Sequence, residues 1–117
     1  MTTRIHVIED EPLIAENISS DLADAGFEVV GMASRVDKAV KLIEEVECDA
    51  AIVDANLAGK SAAPVAAALS VRGIPFLVLS GYARDQLPSE FAEAGYVQKP
   101  SPGRQLICKL TALLDKS

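Results

Sequence analysis

The chain has little with which to hold zinc, grip a nucleic acid or cross a membrane. It contains only two cysteines, Cys48 and Cys108, and one histidine, His6. None of these stands at metal-ligand spacing from another, so a zinc centre lacks its ligands. Both cysteines fall in predicted apolar surroundings, Cys48 entering a strand and Cys108 on a helix, and the expectation for them is two buried, reduced thiols. Bases are also scarce: 11 Lys and Arg against 17 Asp and Glu leave a net charge of −6. A nucleic-acid backbone needs a basic stripe, and its absence argues against direct nucleic-acid binding. No apolar run nears the roughly 18 residues of a membrane span. The start, Met1-Thr2-Thr3-Arg4, runs straight into a strand pattern and lacks a signal-peptide layout. The expectation is a cytoplasmic protein without membrane contact. There is no repeat, linker or low-complexity tract, and 117 residues suit one domain with one core, residues 1–117, and no output domain.

What is present is 50% hydrophobic and is organised around Ala50-Ala51-Ile52-Val53-Asp54-Ala55-Asn56. A run of small and β-branched apolar residues ends abruptly in a carboxylate. Such a run between turn signals reads as a buried strand of a parallel sheet. The carboxyl ends of those strands are where open α/β sheets place their chemistry.

The rest of the chain supplies companions for that strand. Arg4–Ile8 is a first strand, ending in Glu9-Asp10-Glu11. Pro12 suits the first turn of a helix, whose apolar stripe is Leu13, Ile14, Ile18, Leu22 and Ala25, with Gly26 as its stop. Phe27–Met32 is the second strand. Ser34 is placed to cap the next helix, with Asp37 near its positive end and Val36, Ala39, Val40, Ile43 and Val46 as its buried stripe. After the Asp54 strand and a polar loop containing Gly59, an Ala-rich helix covers about 63–71. Ile74–Leu79 is a fourth buried strand leading to Ser80-Gly81-Tyr82. Pro88 interrupts 83–94, so only a short or broken helix is expected there. Gly95–Gln98 is a fifth strand, Lys99-Pro100 follows, and Ser101 is placed to cap a last helix through Leu106, Ile107, Leu110, Leu113 and Leu114. The prediction is an α/β fold. Its doubly wound five-stranded parallel sheet is expected in the flavodoxin-like order 2-1-3-4-5, one of two common doubly wound arrangements, with helices on both faces and a reduced fourth helix.

That order brings Glu9, Asp10, Asp54, Ser80 and Lys99 to one end of the sheet. Acids gathered at neighbouring strand ends repel one another, and a divalent cation commonly holds such a cluster together. Carboxylates with open positions for water suit magnesium. Lys99 can neutralise a phosphoryl oxygen, Ser80 can donate to another, and Asp54 is then placed as a nucleophile able to form an acyl phosphate. His6, in a central strand, reads as a core histidine rather than an exposed phosphodonor. Tyr82 stands two residues past Ser80, where its ring can overhang the site and slow attack by water.

These residues resemble the receiver domain of two-component response regulators, along essentially the whole chain. Ile8-Glu9-Asp10-Glu11-Pro12 is similar to that family's acidic pair, and Val53-Asp54 to its phosphoacceptor. Leu79-Ser80-Gly81 resembles its Ser/Thr switch, and Tyr96-Val97-Gln98-Lys99-Pro100 its aromatic switch and Lys-Pro step, whose peptide is typically cis. The resemblance implies that Asp10 and Asp54 ligate Mg2+ directly, Glu9 acts mostly through water, and the Asn56 carbonyl is a further ligand. It implies that Asp54 is phosphorylated, that Lys99 and Ser80 hold the phosphoryl group, and that Ser80 and Tyr96 switch. Its implied partners are a histidine kinase or histidine phosphotransfer protein and a downstream protein target. Ala58 departs from the family, which commonly has proline there. The Asp-x-Asn-Leu-x-Gly loop with Ser-Gly-Tyr instead resembles a subgroup of single-domain receivers with a reduced fourth helix.

Three rivals are weighed. A small Mg-dependent phosphatase of the haloacid-dehalogenase pattern wants Asp-x-Asp after the first strand, whereas this chain has Asp-x-Asn after the third. An FMN carrier wants a Ser/Thr/Gly-rich phosphate loop where Glu9-Asp10-Glu11 stand. A receiver-like adaptor that keeps the site unphosphorylated has no contrary sequence signal. The expectation is therefore no enzyme beyond self-catalysed phosphorylation and dephosphorylation of Asp54.

Overall fold

A computed structural model describes residues 2–115, so Met1 at the head of the chain lies outside it. Arg4–Ile8 forms β1, Pro12–Asp24 α1, Glu28–Ala33 β2, Val36–Glu45 α2 and Ala50–Asp54 β3. Two-residue strands β4 (Asn56–Leu57) and β5 (Lys60–Ser61) then pair as a small antiparallel hairpin. Ala63–Val71 is α3, Phe76–Ser80 β6, Gly95–Gln98 β7 and Gly103–Asp115 α4. The main sheet is parallel, in the order β2-β1-β3-β6-β7. Counting only its five strands, this is the predicted 2-1-3-4-5.

Side chains alternate across the sheet. Ile5, Val7, Ala50, Ile52, Leu77, Leu79 and Val97 pack with Ile18, Leu22, Leu106 and Leu110 of α1 and α4. Ile8, Ala51, Val53, Phe76 and Val78 pack with Ala39 and Ile43 of α2 and Val65, Ala66 and Leu69 of α3. Each large side chain so buried contributes about 1.5–3 kcal/mol against exposure. This alternation also sorts the polar residues at the strand ends. Glu9, Asp54 and Lys99 continue the parity of the α1–α4 face, whereas Ser80 and Tyr96 continue that of the α2–α3 face.

The fourth crossover is reduced, as Pro88 led us to expect. Residues 83–94 form two 3₁₀ turns, Arg84–Gln86 and Ser89–Phe91. Phe91 anchors the second turn, 2% exposed and edge-on to Phe76 with ring centroids 6.4 Å apart.

Several local expectations are corrected. Cys108 lies on the exposed face of α4, and Cys48 is only half-buried. An apolar sequence neighbourhood on a helix does not fix which way one residue faces. Leu13 is 69% exposed and Val46 36%, because each stands where its helix starts or has already ended. Ser34 does not cap α2: the N-cap is Arg35, with no side-chain hydrogen bond. The Ser101 hydroxyl reaches Gln105 Oε1 at 3.2 Å and the Pro102 carbonyl at 3.3 Å, so it caps no α4 amide. His6 is fully buried, as read; its Nε2–H donates to the Val46 carbonyl at 2.8 Å. Burial, resisted by that hydrogen bond, lowers its pKa.

Candidate functional site

Three chain segments converge at the carboxyl edge of β1, β3 and β7. β3 delivers Asp54, only 6% exposed, because the strand before it is buried on both faces. β1 delivers Glu9, 3% exposed, and Asp10. One carboxylate oxygen from each of Glu9, Asp10 and Asp54 lies within 4.8 Å of the others. β7 leads into Lys99, whose backbone N–H donates to the Ser80 carbonyl at 2.7 Å. That register brings the Lys99 Nζ into a direct hydrogen bond with Asp54 Oδ2 and to 3.2 Å from Glu9 Oε1. The Lys99–Pro100 peptide is cis.

The acids have separate supports. Asp54 Oδ1 accepts from the Asn56 N–H at 3.1 Å. Glu9 Oε2 accepts from the Glu11 N–H at 3.2 Å. Asp10 Oδ2 accepts from the Ala58 N–H at 3.0 Å. Ala58 and Gly59 are the centre of the β4–β5 hairpin, with φ of 51° and 80°, the signs of a type I′ turn. Sequence reasoning singled out Ala58 only as a departure from proline. Its role as the amide that positions Asp10 was missed, although the Ala-Gly pair after Leu57 carried the signal for a tight turn.

Electrostatics sort these groups. Burial is the main reason that the Glu9 carboxyl rises from 4.5 to about 7, helped by hydrogen bonds with Asp10 and Asp54. Burial would also raise Asp10, but its hydrogen bonds with Glu9 and Ala58 outweigh that and lower it. Desolvation opposes the charge on Lys99, and the Asp54 hydrogen bond and charge overcome it, raising its pKa. Glu9 Oε1 is buried with no hydrogen-bond partner, the Lys99 contact lacking suitable geometry. An orphaned carboxylate oxygen among other acids suits a hard cation. Glu9, Asp10 and Asp54 are thus a set that can hold a metal.

Ser80, at the end of β6, and Tyr96, in β7, are differently engaged from the acids. Ser80 is 2% exposed, and its Oγ accepts from the Tyr82 N–H at 2.9 Å. Tyr96 is half-buried, and its hydroxyl donates to the Tyr82 carbonyl. Tyr82 itself is 58% exposed. Asn56 is exposed at the start of β4. Lys60 is exposed, in the two-residue strand β5.

The family described as "Response regulator receiver domain" matches residues 5–111. The transcriptional regulatory protein PdtaR of Mycobacterium tuberculosis (strain CDC 1551 / Oshkosh) is 30% identical over 101 residues, 83% of this chain and 49% of that protein. Among solved structures, the response regulator PhyR from Brucella abortus superposes with TM-score 0.87 at 31% identity, over 99% of this chain and 49% of that one. SdrG from Sphingomonas melonis Fr1 superposes with TM-score 0.82 at 38% identity, over 97% of both chains. The chain spans about half the length of the curated relatives it matches. No helix among the described residues is long and apolar enough to cross a membrane.

Proposed function

Because the chain belongs to the response regulator receiver domain family, we propose that Asp54 accepts a phosphoryl group from the phosphohistidine of a kinase or phosphotransfer protein. One observation carries this reading. A buried carboxylate at the end of the central strand has Lys99 on one oxygen and the acids Glu9 and Asp10 beside it.

An Asp54 oxygen attacks phosphorus, and a new O–P bond forms as the N–P bond breaks, its electron pair returning to the imidazole. Asp10, Asp54 and the Asn56 carbonyl, with Glu9 mostly through water, would hold Mg2+, which when bound supplies positive charge to the phosphoryl oxygens. The Lys99 ammonium shifts its hydrogen bond from the Asp54 carboxylate to a phosphoryl oxygen, and the Ser80 hydroxyl donates to another. Phosphoryl transfer asks little covalent chemistry of a protein beyond such positioning and charge. Self-catalysed phosphorylation and dephosphorylation of Asp54 are the only chemistry we assign. The message passes on by protein contact, as Ser80 and Tyr96 reshape the surface after β6.

The test is incubation with acetyl phosphate and Mg2+, wild type against Asp54→Asn, read by mass spectrometry. We expect a phosphoryl adduct on the wild type alone. An adduct on both proteins, or on neither, overturns the reading; the second result is what an adaptor with an unused site would give.

A further inference from the structure

The β4–β5 hairpin presents one edge to two of the three acids. Successive amides of an extended chain point to opposite edges, so amides two residues apart share one. On β4 the Asn56 N–H donates to Asp54 Oδ1 at 3.1 Å, and the Ala58 N–H donates to Asp10 Oδ2 at 3.0 Å. The other edge pairs with β5, Leu57 opposite Lys60 and Asn56 opposite Ser61. At the base of the hairpin the Ala62 N–H donates to the Ala55 carbonyl at 2.8 Å. A ribbon of two-residue strands has little stability of its own, so its place beside the acids must be fixed from outside. Leu57, 1% exposed in the α2–α3 core, is one anchor. Ser61 is the other. Its Oγ accepts from the Ala63 N–H at 3.2 Å, where α3 begins. Ala62, at the N-cap, has no side-chain oxygen with which to satisfy an amide of the first turn. Ser61 does so from one residue earlier, and thereby ties β5 to a helix whose Val65, Ala66 and Leu69 are fully buried.

We infer that Ser61 is a positioning residue for the metal site, fixing the hairpin so that its Asn56 and Ala58 amides hold the Asp54 and Asp10 carboxylates. The inference rests on the reading of Glu9, Asp10 and Asp54 as the ligand set for Mg2+. A carboxylate held at one oxygen presents the other in a fixed direction, and such supporting hydrogen bonds govern how well a ligand binds its metal. Supports that are ordered beforehand need not be ordered when the metal arrives, which favours binding. Among the hydrogen bonds of the described residues, the exposed Ser61 hydroxyl makes none to Glu9, Asp10 or Asp54. Its influence on the metal therefore passes through the hairpin.

The experiment is calorimetric titration of the full chain with Mg2+, comparing wild type, Ser61→Ala, Ser61→Val, Ser61→Thr and Asp54→Asn. The amide proton resonance of Ala58 is recorded for each in the absence of metal. Ser61→Ala and Ser61→Val are expected to bind Mg2+ about fivefold more weakly, short of the roughly 10–100-fold lost with groups that bond a ligand directly. In both, the Ala58 amide proton moves upfield as its hydrogen bond to Asp10 loosens. Ser61→Thr keeps the hydroxyl acceptor and should stay within about twofold of wild type. A merely structural role lowers the urea midpoint and leaves both the Mg2+ affinity and the Ala58 resonance of the folded protein unchanged, which overturns the inference. Either change without the other overturns it too, as does equal weakening in Ser61→Thr and Ser61→Val. Should Ser61→Ala not fold, the nearly isosteric Thr and Val variants decide alone. Failure of the metal reading looks different: wild type then binds Mg2+ no better than Asp54→Asn, and the inference falls with it.

Discussion

Ala58 shows how a single backbone angle serves the site. Its φ of 51° is uncommon for a residue with a side chain, and it is kept because the hairpin turn aims the Ala58 N–H at Asp10 Oδ2. Proline, with φ held near −65° and no N–H, fits neither requirement. We expect Ala58→Pro to destabilise the protein by about 2–4 kcal/mol in urea unfolding and to weaken Mg2+ binding. Ala58→Gly keeps both the angle and the amide, so its Mg2+ affinity should match wild type. Equal Mg2+ affinity in Ala58→Pro would show that the amide does not position Asp10. The residue was visible in the sequence as an oddity. Its function was not, because a left-handed angle and a hydrogen bond to a residue 48 positions away exist only in the folded chain.

The strands and helices were far more legible than their ends. Apolar runs bounded by Gly and Pro located the strands of the main sheet, and Pro88 marked the broken crossover. Caps were misread at Ser34 and Ser101, since a serine hydroxyl has many local partners and a weak preference among them. One element-level test concerns β7, which is placed against β6 by Leu77 opposite Gly95. A Cβ built at Gly95 would lie 2.5 Å from Leu77 Cδ2. Gly95→Ala should therefore overpack this contact, destabilising the protein by about 1–3 kcal/mol. Tyr96 and Lys99 follow directly, so the shift should also slow phosphorylation by acetyl phosphate. A variant as stable as wild type would mean that Leu77 re-orients freely.

For the molecule as a whole, the fold gathers three acids around Lys99, whose ammonium is the ion-pair partner of both Asp54 and Glu9 Oε1. Glu9 titrates near 7 in the folded protein against about 4.5 when unfolded. The folded state thus holds this proton more tightly, and its stabilising effect is complete below about pH 4.5. As pH rises through about 7 that contribution is lost. Metal-free protein should lose stability from Glu9 across this window, whereas Mg2+, taking the place of the proton, should stabilise more as pH rises. His6 works in the opposite sense: its lowered pKa makes stability fall as pH drops below about 6.5. The Glu9 part is isolated by the difference in urea midpoints between wild type and Glu9→Gln, with EDTA or Mg2+, from about pH 5 to pH 8. A difference independent of pH would refute the raised Glu9 pKa.

Hydrophobic pattern and turn residues, read along the chain, determined the class of fold and the residue types waiting at the strand ends, and left the strand order as one of two common arrangements. They sufficed because alternation and helical periodicity are local properties that every strand and helix must satisfy. Tertiary structure alone decided which amide holds Asp10, where the Ser80 and Tyr96 hydroxyls are engaged, and that Cys108 faces outward. Those outcomes depend on angles and distances between segments far apart in the chain, which packing sets and no short stretch of sequence specifies.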